Sequence, residues 1–295
     1  MKNLFIAACM FAAITSCKKN TATLDVATVT TADISKVFVA GNTITKNELS
    51  VSASSLQAPS QGSGQTWNLS DIVYDGKTNT TTYTSTTSAF PAGALAWSGK
   101  VASLVSSDSI GETNVFDVSD SGLCQLGQIL NASTITVPGL GAITYAAQAD
   151  LNSKRMPETP MLPFQYGDSV TYSGVVNTEN FVANAPAVGL SNTPGSQVFT
   201  SSGSAVAWAS GKLTLKGFTA AMDVVVVKVH IKTITNYLLG GAPAPAALLA
   251  MLGLTDGAAT YTDWYDFYNP GGVGFIGTIY VNGSNNITSA TFRAQ

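Results

Sequence analysis

Along most of the chain, apolar residues recur at every second position in short runs, and Gly, Pro, Asn or Asp bound those runs. The clearest run is DVVVVKVHIKTIT, residues 223 to 235. Successive side chains of an extended chain point to opposite faces. Val225, Val227, Val229 and Ile231 therefore share a dry face, and Lys228, His230 and Lys232 a wet one, which predicts a long strand. Further strands are expected in the Thr-rich TNTTTYTSTTSAF (78 to 90), in KVASLVSSDSI (100 to 110), in ITYAAQADL (143 to 151) and in DSVTYSGVV (168 to 176). Near the end, GFIGTIYV (274 to 281) and ITSATFR (287 to 293) read as two strands joined by NGSNN, with the Asn-Gly chemistry of a hairpin turn.

One segment breaks the two-residue period. APAPAALLAMLGL (242 to 254) holds helix formers from 246 to 252, prolines placed to start the helix, and Gly253 as a stop. It has no polar side, so the first expectation is a buried helix that caps a sheet or fills a concave one, the alternative being a helix that touches lipid or a partner. The fold class expected is mainly β: antiparallel β-sandwich or curved half-barrel sheet units with one short apolar helix at about 246 to 252. An N-terminal β half (36 to 160) and a C-terminal β half (161 to 295) meet at RMPETPMLPF (155 to 164), read either as a hinge or as a crossover within one continuous domain.

The N-terminus follows a different pattern. Lys2 precedes an apolar run from Leu4 to Ile14, too short for the roughly 20 residues that cross a hydrocarbon core. A basic start, a short apolar run and small residues at its end mark a secretory signal, residues 1 to 16. Ile14, Thr15, Ser16 and Cys17 resemble the bacterial lipobox, which implies that Cys17 is the lipidated new N-terminus. Residues 17 to 35, rich in Thr, Ala, Lys and Asp, read as a tether. Of the three cysteines, Cys9 lies in the segment removed and Cys17 carries lipid. Cys124 is then left without an intramolecular partner, its commonest role a buried apolar filler.

Composition narrows the classes of function. Only 11% of residues are charged, against about 25% in typical domains. Loss of Lys2 with the signal leaves 13 basic residues (14 − 1) and 17 acidic ones, a net charge near −4 (13 − 17). No basic stripe is present, which argues against a nucleic-acid partner. His230 is the one histidine, so no His/Cys metal cluster is expected. Neither a G-x-S-x-G elbow nor a Walker A loop occurs. No catalytic residue, metal ligand or cofactor is assigned, and the inventory leans away from an enzyme.

The densest chemistry is TDWYDFYN (262 to 269), where Asp263 and Asp266 stand among Trp264, Tyr265 and Tyr268. Aromatic faces stack on sugar rings and carboxylates accept hydroxyl bonds, so these five are the candidate ligand-binding residues. A spacing of three puts the two carboxylates on opposite faces of a strand, which weakens them as an acid/base pair. The plain alternative is a core strand with Trp264 inside. DVSDSG (117 to 122) lacks the ligand pattern of a calcium loop and reads as a turn.

SCKK with a Thr-rich tether resembles lipoproteins of the Bacteroidota. The order of GSGQTWNLSDI, AFPAGALAW, MLPFQYGDSV, SGKLTLKGFTAAMDVVVVKV and DWYDFYNPGGVGFIGTIYV resembles a broad group of uncharacterised secreted and lipid-anchored β proteins of that phylum. The resemblance implies an outer-membrane lipoprotein of the cell envelope, held through its N-terminal lipid on either the periplasmic or the surface face. The second half, from Gly211 to Gly217, Val224 to Ile234 and Trp264 to Gly274, is also similar in outline to periplasmic curved-sheet proteins of the lipoprotein-carrier type. That likeness implies a sheet around an apolar hollow, with residues 242 to 254 inside it. The first functional expectation is a noncatalytic binding or scaffolding protein. The alternatives are a carbohydrate-active enzyme using carboxylates and an apolar-ligand carrier, so a glycan or an apolar small molecule is the expected ligand.

Overall fold

The computed structural model describes residues 27–53, 56–101 and 112–294. The signal segment, Cys17 and the tether up to residue 26 lie outside them. β1 (Thr28–Val29) and α1 (Thr31–Ser35) come first, then β2 (Thr43–Leu49), β3 (Gly62–Leu69), β4 (Tyr74–Ser85) and β5 (Leu95–Val101). β6 (Glu112–Ser119), β7 (Gly122–Leu130), β8 (Ser133–Val137), β9 (Gly141–Tyr145) and β10 (Gln148–Pro157) follow. After the short β11 (Phe164–Gln165) come the three long strands, β12 (Ser169–Ala185), β13 (Leu190–Leu215) and β14 (Met222–Leu239). β15 (Ala242–Pro243), α2 (Ala246–Met251), β16 (Ala258–Asn269), β17 (Gly274–Val281) and β18 (Ile287–Arg293) complete the chain.

The protein is mainly β, as the alternating pattern predicts, and the final hairpin falls at the expected residues. One 16-stranded sheet runs β10-β7-β6-β5-β4-β2-β18-β17-β16-β14-β13-β12-β9-β8, with β15 added on β14 and β3 on β13. Its pairs are antiparallel except β3 with β13, where Gly211 faces Gln65. A Cβ at Gly211 would collide with the Gln65 backbone, so glycine permits the two strands to meet there. β2 pairs with β18, Lys46 lying opposite Arg293. Strands of both sequence halves thus belong to one sheet; of residues 155 to 164, the first three end β10, and the chain from 158 to 163 leads to β11, which pairs with β1 outside that sheet.

The sheet curls. Ile44 of β2, Phe116 of β6, Ala205 of β13, Val225, Val227 and Val229 of β14 and Trp264 of β16 are far apart in strand order yet join one buried cluster. Ile231 packs against that cluster, which completes the dry face read from the sequence. β10 and β12 approach each other without a backbone ladder. Side chains span the gap: the Asn180 amide donates to Gln148 Oε1 (3.1 Å), Gln148 Nε2 to the Asn180 carbonyl (2.9 Å), and the Val176 amide to Ser153 Oγ (2.8 Å). A second core lies on the outer face, where Leu69 and Ile72 cover Val224, Val226, Phe267 and Phe292. β14 therefore begins dry on both faces, and its outer face becomes half-buried only from Lys228 onward.

Two expectations change. Residues 28 to 35, read as the end of the tether, instead form β1, which pairs with β11, and α1, whose Ile34 is fully buried. The helix α2 is not inside the hollow. Only its Leu249 is buried, and Met251 is 55% exposed. The helix packs on a sheet end by one side only, so its apolar far side stays in water.

Candidate functional site

The inner face of the curl does not close on itself. Beside the inner core lies a pocket of about 290 Å³, with room for on the order of ten waters at the ~30 Å³ each occupies in the liquid. β16 runs down its wall. Alternate residues pass from mouth to floor: Thr262 is exposed, Trp264 is 8% exposed, Asp266 6% and Tyr268 0%. On β17, Tyr280 (38% exposed) stands at the mouth and Thr278 below it. A bulge opposite Tyr268 then turns Phe275 inward as well. Phe38, carried in by the segment after α1, packs edge-on to Tyr83 at 5.3 Å and Phe275 at 5.9 Å.

Of the five sequence candidates, Trp264, Asp266 and Tyr268 line this pocket, and Asp263 and Tyr265 do not. Strand alternation makes the split. On the outer face, His230 Nδ1 lies 2.8 Å from Asp263 Oδ1, and the His230 ring stacks on Tyr261. Tyr265 is buried there, under the Lys228 ammonium, with its hydroxyl donating to Asn285 Oδ1 at 3.1 Å. The two carboxylates thus face opposite ways, as their spacing requires.

The sequence reading missed two charged residues that face Asp266. Lys46 on β2 is 7% exposed and lines the pocket, as does Glu158 from the Pro-rich crossover. Lys46 was legible in principle, because in TITKNEL it falls in phase with the buried Ile44. Glu158 stands in irregular chain, where no periodicity could have assigned its direction.

The electrostatics follow from burial. Asp266 accepts from Thr278 Oγ1 at 2.6 Å and from Trp264 Nε1 at 2.9 Å. Burial still pushes its carboxyl up to about 6, against those two bonds and the charge of Lys46. Glu158 is pushed up to about 8, by burial first and then by the nearness of Asp266. Burial lowers Lys46, and Asp266 opposes that shift. Burial also holds the Tyr268 hydroxyl well above its ordinary value, so it remains an O–H donor.

The chain matches no family model, no curated protein and no solved structure. Its own geometry must carry the functional argument.

Among the described residues, three polar atoms on the pocket wall are buried without a protein partner: Asn79 Oδ1, Trp97 Nε1 and Tyr268 Oη. Gln125 Nε2 donates to Asn114 Oδ1 at 2.8 Å, which leaves that pair one acceptor and donors to spare. The lining thus mixes aromatic faces with unspent donors and acceptors, the makeup of a site for a small polar ring. Among the described residues no group of three or more His, Cys, Asp or Glu side chains gathers to hold a metal ion. Cys124, buried on β7, has its thiol pushed up to about 11 by burial, which makes it inert at neutral pH.

A second hollow is apolar. It measures about 60 Å³ and lies between α2 and the ends of β9, β12 and β14, walled by Ile143, Phe181, Leu239 and Leu249.

Proposed function

We propose that this protein is a lipid-anchored envelope protein that binds, without transforming it, a small hydroxyl-rich ring such as a sugar residue in its inner pocket. One observation carries the reading: Asn79 Oδ1, Trp97 Nε1 and Tyr268 Oη are buried and without a partner among the described residues, around a pocket with aromatic walls. An unmet buried polar group costs about 1–3 kcal/mol. Ligand hydroxyls would meet these groups while the C–H faces of a sugar lie on Trp97 and Trp264. The apolar-carrier alternative draws less support, because the apolar hollow, at about 60 Å³, is much the smaller of the two.

The test uses full-length protein extracted from its host in detergent. Native mass spectrometry is expected to find a retained saccharide, or fluorescence of the pocket tryptophans to respond saturably to monosaccharides. Tyr268→Phe and Asn79→Ala should each weaken binding by about tenfold, which is 1.4 kcal/mol. A clean apoprotein mass with no response to neutral or acidic monosaccharides would sink the reading.

The carbohydrate-active alternative rests on Asp266 and Glu158 sharing one pocket, both held above the ordinary carboxyl range. Glycosidases use one protonated and one ionised carboxyl about the scissile bond. Hydrolysis of a bound glycoside that Glu158→Gln abolishes would move the assignment to an enzyme.

A further inference from the structure

Of the residues lining the inner pocket, Lys46 is the one cation. Its stem is buried, and its Nζ lies 5.9 Å from the Trp97 ring centre and 5.5 Å from that of Phe275. An ammonium offers three donors. Among the described residues Lys46 Nζ makes no hydrogen bond and no ion pair. Asp266 is the nearby countercharge, yet Thr278 and Trp264 already donate to its two oxygens. The ring faces stabilise the positive charge but give its N–H groups nothing to bond. Asp266 balances the charge without bonding it, so what Lys46 Nζ lacks is an acceptor of its own, and one that brings negative charge bonds an ammonium more strongly.

A hydroxyl supplies the acceptor alone. A carboxylate supplies both, and charge-assisted bonds are roughly twice as strong as neutral ones. Glu158 does not oppose such a guest at neutral pH, since burial and Asp266 keep it protonated up to about 8. Its carboxyl makes no hydrogen bond among the described residues and can donate its proton to a ligand oxygen.

Resting on the sugar-binding reading above, we propose that the ligand is a sugar acid: a hydroxyl-bearing ring whose carboxylate is held by Lys46 while Glu158 and Tyr268 serve its oxygens. The class is therefore uronate-like, distinct from neutral sugars and from sugar phosphates.

Calorimetric titration at neutral pH tests this with the full-length protein in detergent. D-glucuronate and D-galacturonate are compared with D-glucose and D-galactose, and glucose 6-phosphate serves as the alternative anion. At least one uronate is expected to bind about tenfold or more tighter than its neutral parent, about 1.4 kcal/mol. Lys46→Met should bring that uronate down to the affinity of the parent, and Lys46→Arg should keep a preference. If Lys46→Met does not fold, as judged by its thermal transition, the wild-type ratio and the Lys46→Arg ratio decide. Equal binding of uronate and neutral sugar would overturn the sugar-acid inference and leave the sugar-binding reading standing. So would tighter binding of the phosphate, or a preference that survives in Lys46→Met. No binding of any probe would overturn both together.

Discussion

Glu158 shows how much a single side chain's setting can depart from its sequence context. An acid whose folded-state value is raised, here to about 8 from an ordinary 4.5, holds its proton more tightly in the folded protein than in the unfolded one. It costs the fold nothing below about pH 4.5, and stability declines as pH climbs from there toward 8. Glu158→Gln removes that decline. The variant is expected to melt with the wild type near pH 4 and above it near pH 8.5 by differential scanning calorimetry. Equal melting at both ends would place the carboxyl in open water. At this scale the sequence was partly legible. TDWYDFYN announced Trp264, Asp266 and Tyr268, and the rule of alternation correctly separated Asp263 from Asp266. Lys46 was passed over because a lysine on a strand is usually a solvated one, and only its phase with Ile44 argued otherwise.

The two short helices reverse their expected roles. α1 lies in a Thr-rich stretch that reads as linker, and five residues are too few to display a helical period. Its one local signal was the Thr30-x-x-Asp33 capping box, which the structure forms in both directions. Asp33 does more than cap. It is buried, and it accepts from Thr30, from Lys36 Nζ at 3.0 Å and from the Gly271 amide at 2.9 Å, which fastens α1 to the turn between β16 and β17. Burial tends to raise its carboxyl, and those bonds together hold it below the usual value. Asp33→Ala is expected to lower stability by about 1–2 kcal/mol in urea titrations above pH 5, as loss of a capping carboxylate does. A loss under about 0.5 kcal/mol, the ordinary scatter of surface changes, would show that the helix is held by Val29, Ile34 and Val37 alone. α2 announced itself by composition, yet composition could not say that a sheet end would offer it only one wall.

For the whole molecule, the alternation of residues was enough to name the class, because period two is a property of every strand. It could not foretell that the strands would form one curled sheet, since joining the two halves depends on pairings such as β2 with β18 that link residues nearly the full chain apart. Nor could it foretell a gap bridged by Gln148 and Ser153, whose side chains stand in for a missing ladder. Placement in the cell rests on the lipobox resemblance. Cys17→Ser is expected to abolish incorporation of labelled palmitate and to release the protein from membranes, and labelling that persists in the variant would rule out this anchor.

Cys17 and Ala27 are ten residues apart, a reach of at most about 35 Å. The first described element, β1, is held by a two-residue ladder to β11, and the chain then continues through α1 to Phe38 on the pocket wall. Were Cys17 lipidated as proposed, any tension between the bilayer and the body would be delivered to that ladder before it reached the long strands. β1 would peel first, α1 would follow once Asp33 let go, and Phe38 would be drawn out of the wall. On the proposed anchor and the proposed ligand, a tug at the N-terminus would thereby loosen the pocket wall while the sheet stayed whole.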